Sequence, residues 1–307
     1  MRTDSGTREV WVAAYRILLL AAAVCMPQRG LCQAAKAETV RDRLWLFSFA
    51  TNSDYVHTGR RSVMSAAEGN FYFGVPNILM VQSNEKEAQY GRFDLPFEPY
   101  TVALRPLKRV AWSLVGSGGF NKAEETAEVL AMAKRVPNFC GVMLDDFFIT
   151  SAKAGEKRAQ WTVEELADVR RKLDQTGKKL DIFVTFYVKQ IDLPLKDYLD
   201  LIDVLMLWNM DSAGILNVED DLQRLERAYP RKRKMLGCYL VDYPKKRGIP
   251  VDLMKHQCEA GLRWLQQGRI EGIVFMGNTV MDVGFESVEW TRAWIQQVGD
   301  TKLKGAD

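Results

Sequence analysis

The sequence predicts an α/β fold, a single (β/α)8 barrel of the TIM type that is preceded by a cleaved signal peptide. Eight short runs rich in Val, Ile, Leu, Phe and Trp alternate with stretches whose apolar residues recur at helical spacing. Short, fully apolar runs are typical of buried parallel strands. Eight such units in about 260 residues match the usual size of this barrel, and its closure leaves no strand edge exposed.

The predicted strands occupy residues 44–51, 77–83, 109–115, 140–147, 181–188, 203–210, 234–241 and 272–278. Helices are predicted where apolar side chains repeat along one face, at residues 122–135, 162–176, 251–267 and 286–298. The second unit is the least regular, because residues 90–106 contain three prolines and indicate a long loop. An open doubly wound sheet is the alternative. Residues 49–53, after the first strand, lack the Gly-rich turn with which such a sheet binds nucleotides.

The first 37 residues have the pattern of an export signal. Basic residues precede a short apolar run at 17–26, and Ala35-Lys36-Ala37 resembles a signal-peptidase site. The run is about half of the roughly 20 residues needed to cross a bilayer. We therefore expect residues 1–37 to be a signal peptide, residues 38–307 to form the barrel domain, and the mature protein to be secreted or periplasmic without stable membrane insertion. A buried N-terminal helix is the alternative.

The net charge of +3 comes from this N-terminal segment. Residues 1–37 contain five basic and two acidic side chains, and the remaining chain has 37 of each. A neutral body lacks the basic surface with which proteins capture nucleic acids. Nucleic acid is therefore not an expected partner.

Acidic residues follow two of the predicted strands, at the end of the barrel where TIM-barrel enzymes have their active sites. Asp145 and Asp146 end the fourth strand, and Asp242 follows the seventh. Side chains alternate along a strand, so Asp145 shares the inward face with Met143. Asp146 faces the pocket only if the chain turns there, and otherwise caps a neighbouring backbone. These three carboxylates are the candidate catalytic residues.

Amide, aromatic and basic side chains at the same end are candidate substrate ligands. They are Asn52, Gln82, Tyr187, Lys189, Trp208, Asn209, Tyr239 and Asn278. Amides and carboxylates bind hydroxyl groups, and aromatic rings pack on the C–H faces of sugars. Side-chain alternation along the fifth strand predicts that Thr185, Tyr187 and Lys189 point into the barrel. The expected substrate is therefore an oligo- or polysaccharide, or another glycoside.

No metal or cofactor is expected. The chain has two histidines, His57 and His256, too few for a multi-His centre. The Gly-rich stretch 116–119 lacks the context of a phosphate-binding loop and indicates a flexible loop instead. After the signal, Cys140, Cys238 and Cys258 remain and are expected to be buried thiols. A bridge between the last two stays open.

Two segments resemble chitinase-type glycoside hydrolases. Residues 139–147 (FCGVMLDDF) resemble the fourth-strand motif F-D-G-x-D-x-D-x-E of that family, and residues 206–209 (MLWN) resemble its M-x-Y-D. The resemblance implies a barrel, secretion and carbohydrate hydrolysis. Met143 and Phe147 stand where the family has acids, Phe147 in place of the catalytic glutamate, and Asn209 replaces an aspartate. Only Asp145 keeps its place, so the family's mechanism does not transfer.

Three hypotheses follow from these observations. The first is a secreted glycoside hydrolase that uses carboxylates on strands 4 and 7. The second is a lyase or aldolase in which Lys189, buried on the inner face of the fifth strand, forms a Schiff base. The third is a carbohydrate-binding barrel without catalysis, because Phe147 occupies the position of the family's acid.

Overall fold

The computed structural model describes residues 38–51, 59–83, 91–152 and 156–303. The predicted signal peptide, Asn52 and His57 lie outside the described residues. From Glu38 onward the chain belongs to one unit. None of the helices in the described ranges has the length and apolar composition that crossing a bilayer requires.

Eight parallel strands form a closed barrel, as the sequence predicts. They are β1 (Leu44–Ser48), β2 (Asn77–Met80), β3 (Arg109–Val115), β4 (Phe139–Leu144), β5 (Asp181–Tyr187), β6 (Val204–Trp208), β7 (Arg233–Tyr239) and β10 (Gly272–Met276). The barrel closes because β1 pairs with both β2 and β10. A short antiparallel hairpin, β8 (Val241–Asp242) and β9 (Arg247–Gly248), follows β7. Most strands end earlier than predicted, since buried apolar residues continue into the loops beyond them.

Helices connect the strands. They are α1 (Ala66–Phe73), α2 (Thr101–Leu104), α3 (Ala123–Arg135), α4 (Val163–Asp174), α5 (Lys196–Leu199), α6 (Val218–Ala228), α7 (Val251–Gln266) and α8 (Glu286–Val298). The four helices predicted from periodicity are all present, with boundaries within two residues. In the described part of the irregular second unit, a 3-10 turn over Glu98–Tyr100 leads into the four-residue α2. At the start of α4, Thr162 and Glu165 form a capping box that satisfies two free N–H groups of the first turn.

The strands separate two apolar layers. Ile182, Val184 and Phe186 of β5 pack in the layer between barrel and helices, whereas Phe183 packs inside the barrel. This alternation is the one predicted for the fifth strand. Inside the barrel, Trp45, Phe47 and Trp208 belong to a second cluster. The interior is therefore a packed core, and a ligand has room only at its ends.

Charged residues close the N-terminal end of the barrel. Arg233 pairs with Asp181 at 2.5 Å and with Glu271 at 3.4 Å. The guanidinium of Arg109 lies 4.6 Å from the centroid of the Trp45 ring. A cavity of about 640 Å³ lies beside this layer. Residues at this end of a TIM barrel usually serve stability.

Candidate active site

A cavity of about 270 Å³ lies at the C-terminal mouth of the barrel. Its lining combines two acids with aromatic, hydroxyl and small side chains. The lining residues are Phe47, Phe49, Ser117, Gly118, Asp145, Asp146, Thr185, Tyr187, Met210, Tyr239, Tyr243 and Met276. Four of the predicted site residues are thus brought together: Asp145, Asp146, Tyr187 and Tyr239.

Asp145 continues the inward face of β4. Strands β4 and β5 are paired with Leu144 opposite Val184, so the next residues, Asp145 and Thr185, lie side by side. The Thr185 hydroxyl donates to Asp145 Oδ1 at 2.8 Å. Only 5% of Asp145 is exposed. Burial costs a carboxylate free energy unless donors compensate it, and this hydrogen bond contributes to that compensation.

Asp146 also lines the cavity, because the backbone turns at this residue. Its φ of 44° lies in the left-handed region, which interrupts strand alternation. The Tyr187 hydroxyl donates to Asp146 Oδ1 at 2.7 Å, and the Gly118 N–H donates to Oδ2 at 2.9 Å. Gly118 itself has a φ of 66°, which glycine adopts without steric cost. Asp146 therefore both lines the cavity and binds a neighbouring loop.

The same turn removes Phe147 from the mouth. Phe147 is fully buried in the layer outside the barrel, where its ring packs edge-on against Phe148, Trp161 and Tyr198. In a chitinase-type motif the catalytic glutamate occupies this place in the sequence. Here the backbone at Asp146 directs the next side chain away from the cavity, so a glutamate at residue 147 would not reach it without a change of backbone.

Tyr187 and Tyr239 form an aromatic wall. Burial raises the pKa of Tyr187 well above its ordinary value, and the neighbouring Tyr239 and Asp146 raise it further. Tyr187 therefore stays protonated at any ordinary pH and remains a donor to Asp146. The Tyr239 ring lies 4.7 Å from Trp208 and 5.4 Å from Tyr243 between centroids. Ring packing fixes the position of this wall.

Lys189 is exposed, and the expectation that it points into the barrel is wrong. Strand β5 ends at Tyr187, and a 3-10 turn over Val188–Gln190 ends the alternation on which that expectation depended. Lys189 Nζ lies 5.7 Å from the centroid of the Tyr187 ring. The burial that the Schiff-base hypothesis required is absent.

A second cavity of about 350 Å³ adjoins the first and shares Tyr187 and Met210 with it. The other residues of its lining are Val188, Lys189, Trp208, Asn209, Asp211 and Arg224. Trp208 is 1% exposed and packs mainly inside the barrel, so it offers little surface for stacking. Asn209 Oδ1 accepts the N–H of Asp211 at 3.2 Å.

Gln82 and Asn278 do not line either cavity. Gln82 is buried and exchanges two hydrogen bonds with the backbone of Phe93, at 2.9 and 3.0 Å. Asn278 is fully buried, accepts the N–H of Phe49 at 3.0 Å and donates to the carbonyl oxygens of Phe49 and Met64. Both amides satisfy loop backbone groups that strands leave unpaired.

Asp242 lies apart from the two other acids. It is fully buried in the β8–β9 hairpin and does not line the mouth cavity. The Ser212 hydroxyl donates to Asp242 Oδ2, and Lys245 Nζ lies 3.2 Å from the same oxygen. Lys245 Nζ also donates to Ser212 Oγ at 2.7 Å. This cluster ties the loop after β6 to the hairpin after β7.

Several residues that line the mouth cavity were not predicted from the sequence. Ser117 and Gly118 lie in the stretch interpreted as a flexible loop, and its position directly after the third strand was the available signal. Alternation on the first strand places Phe47 on the inward face, yet an apolar residue carries no signal for a site. Met210, Tyr243 and Met276 come from loops or strand ends whose direction periodicity does not predict.

Comparisons with known proteins identify the architecture. No protein-family model and no curated protein sequence matches the chain. A candidate α-L-fucosidase from Bacteroides thetaiotaomicron VPI-5482 superposes with a TM-score of 0.53 at 11% identity, covering 88% of this chain and 97% of that one. The exo-β-1,4-mannosidase Op5Man5 from Opitutaceae bacterium strain TAV5 gives 0.54 at 12% identity, covering 87% and 61%. The chain has a TIM barrel of the kind found in glycoside hydrolases.

A weaker likeness concerns the chitinases. The active domain 2 of a chitinase from Pyrococcus furiosus matches with a TM-score of 0.45 at 14% identity, over 76% of this chain and 85% of that one. The chitinase-like motifs at residues 139–147 and 206–209 stay a resemblance between short segments. At such identities the shared feature is the fold, and activity has to be inferred from the site.

Proposed function

We propose that this protein is a glycoside hydrolase in which Asp145 and Asp146 are the catalytic carboxylates. The observation that carries the proposal is that both acids line one aromatic cavity at the C-terminal mouth of the barrel. Glycoside hydrolysis typically needs two carboxyl groups, one as acid and one as base or nucleophile. Asp242, which binds Lys245 and Ser212, has no catalytic role in this proposal.

The surroundings of the two acids fit this chemistry. Thr185 orients Asp145, while Tyr187 and Gly118 orient Asp146. Fixed orientation matters because a carboxyl group transfers its proton efficiently only when it is aimed at the reacting oxygen. The partly exposed ring of Tyr243 offers an apolar face against which the C–H groups of a sugar can pack, and the buried rings of Phe49 and Tyr239 complete the aromatic lining.

The size of the cavity favours a small occupant. Ligand pockets usually measure about 300–1,000 Å³, and the mouth cavity, at about 270 Å³, is slightly smaller than this range. One sugar ring is the occupant that we propose, with the rest of the substrate outside. We also propose that the enzyme is exported and meets its substrate outside the cytoplasm, since residues 1–37 have the pattern of a signal peptide.

A carbohydrate-binding barrel without catalysis is the second candidate. It is favoured by the outward position of Phe147, at the place where the chitinase-type motif has its acid. Such a protein would bind sugars in the same cavity and release no product.

Asparagine substitutions test the proposal. Asp145→Asn and Asp146→Asn are each expected to lower kcat by about 10²–10⁴-fold, since each removes a proton-transfer or nucleophilic group. Asn keeps the size of Asp, so the thermal midpoint is expected to stay nearly unchanged. The control is Asp197→Asn, on the exposed surface of α5. A panel of 4-nitrophenyl glycosides, with released nitrophenol as the signal, provides the assay.

The same panel separates the roles of the two acids. A leaving group as acidic as nitrophenol departs without protonation, so the general-acid variant retains more activity on it than on an alkyl glycoside. Full activity in both variants would contradict the proposal. Sugar binding by calorimetry, with no product from any substrate, would instead support the binding barrel.

A further inference from the structure

The second cavity continues the candidate active site along the surface of the barrel mouth. The two cavities share Tyr187 and Met210, which form the boundary between them. The Tyr187 hydroxyl binds Asp146 on one side of this boundary, and the Tyr187 ring faces Lys189 on the other. A substrate whose scissile bond lies at the acids and whose length exceeds one ring therefore extends across Tyr187 into the second cavity.

The lining of this cavity is mainly apolar. Its apolar lining includes Val188, the ring of Tyr187 and the side chain of Met210, which is 41% exposed. Such a surface suits a flat ring, whether aromatic or the C–H face of a sugar. The mouth cavity, in contrast, concentrates the two acids.

Lys189 supplies the second cavity with a positive charge that no acidic neighbour in the described ranges neutralises, whereas the other charged residues of its lining have partners of opposite charge. Arg224 is paired with Asp192 at 2.6 Å, and Asp211 lies 3.5 Å from Lys245. In the described ranges, no carboxylate lies within 4.0 Å of Lys189 Nζ, which lies 5.7 Å from the centroid of the Tyr187 ring. An exposed ammonium beside an apolar floor is suited to bind an anionic group on a ligand that rests on that floor.

We propose that the second cavity is the leaving-group subsite of the enzyme, and that it takes a ring bearing a carboxylate, which Lys189 binds. This inference rests on the proposed glycoside hydrolysis. In that reaction the glycosidic C–O bond breaks, water adds its hydroxyl to the sugar and its proton to the leaving oxygen. The leaving ring lies beyond Tyr187 and the sugar ring lies beside Asp145 and Asp146. The favoured substrate class is therefore a glycoside of an acidic ring, such as a phenolic acid or a uronic acid.

The test compares two substrates in three proteins. Once the nitrophenyl panel has identified the sugar, the phenyl and 4-carboxyphenyl glycosides of that sugar are assayed with the wild type, Lys189→Gln and the control Lys196→Gln. Lys196 is exposed on α5 and pairs with Asp200. The readout is the ratio of kcat/KM between the two substrates, so differences in leaving-group chemistry cancel between proteins.

We expect this ratio to fall about two- to five-fold in Lys189→Gln and to stay unchanged in Lys196→Gln, as for one exposed ion pair. Added salt is expected to lower the ratio in the wild type and not in Lys189→Gln. Equal ratios in the wild type and Lys189→Gln, with turnover intact, would overturn the subsite and leave the proposed hydrolase standing. No turnover of any glycoside would overturn the proposed function and the subsite with it.

Discussion

The two ends of the barrel both carry charged residues, and they use them differently. At the N-terminal end, Arg269 pairs with Glu226 at 2.8 Å, and both residues line a cavity of about 640 Å³. At the mouth, beside a cavity of about 270 Å³, Asp146 accepts hydrogen bonds from the neutral donors Tyr187 and Gly118, and Asp145 accepts one from Thr185.

This difference shows that the size of a cavity is a poor guide to a site. Ion pairs at the N-terminal end neutralise one another and stabilise the closed end of the barrel. The Tyr187 hydroxyl and the Gly118 N–H carry no charge, so they orient Asp146 without neutralising it. The smaller cavity is therefore the better candidate for chemistry, in agreement with the general position of TIM-barrel active sites.

Among the tests of this difference between the two ends, the largest change in kcat is expected from a substitution at Tyr187. Tyr187→Phe removes the hydroxyl that orients Asp146 and keeps the ring. We expect kcat to fall about 10–100-fold, as for other groups that orient a catalytic side chain, with little change in KM. Steady-state kinetics on the best glycoside of the panel measures it. An unchanged kcat would mean that the neutral donors at the mouth do not serve the reaction.

Asp242 tests whether pairing, rather than position, decides the role of an acid. It lies near the mouth, but it pairs with a basic side chain, Lys245, as the acids of the other end pair with arginines. Asp242→Asn is expected to lower the free energy of unfolding by about 1–2 kcal/mol, since Lys245 is partly solvated, and to leave kcat nearly unchanged. Urea denaturation monitors the stability.

One result at Asp242 would contradict the distinction between structural acids that form ion pairs and catalytic acids at the mouth. A loss of kcat without a loss of stability would make Asp242 a catalytic residue after all. Asp211→Asn is the matched control for stability, because Asp211 also lies near Lys245 but is exposed.

The smallest effect is expected at Glu271, in the N-terminal layer. Burial raises the pKa of the Glu271 carboxyl, and Arg233 offsets this only in part. Ionisation therefore costs more in the folded than in the unfolded protein, so this group lowers stability as the pH rises above about 4.3 and through the folded pKa. Glu271→Gln lacks this contribution.

We expect the stability of Glu271→Gln relative to the wild type to increase between about pH 4 and neutrality. Urea midpoints measured across this range give the difference, with Glu259→Gln, on the exposed side of α7, as the control. The ratio of kcat between Glu271→Gln and the wild type is expected to stay constant over the same pH range. A difference that decreases with pH would mean that the ion pairs of this end outweigh the burial.

Local periodicity was enough to predict the barrel and the direction of Asp145. Alternation is a property of each strand by itself, so β5 revealed its inner and outer faces and β4 directed Asp145 inward before any neighbour was known. The eight strands and the four amphipathic helices follow from the same kind of pattern. The sequence therefore determined the scaffold and one of the two mouth acids.

The tertiary structure decided what happens where the strands end. A left-handed φ at Asp146 brings the second acid to the cavity, and a 3-10 turn after Tyr187 sends Lys189 to the surface. Gly118, from the loop after β3, supplies a donor to Asp146, while Gln82 and Asn278 bind loop backbone away from both cavities. Beyond the strands, side-chain direction depends on contacts between distant loops, and no period in the sequence records them.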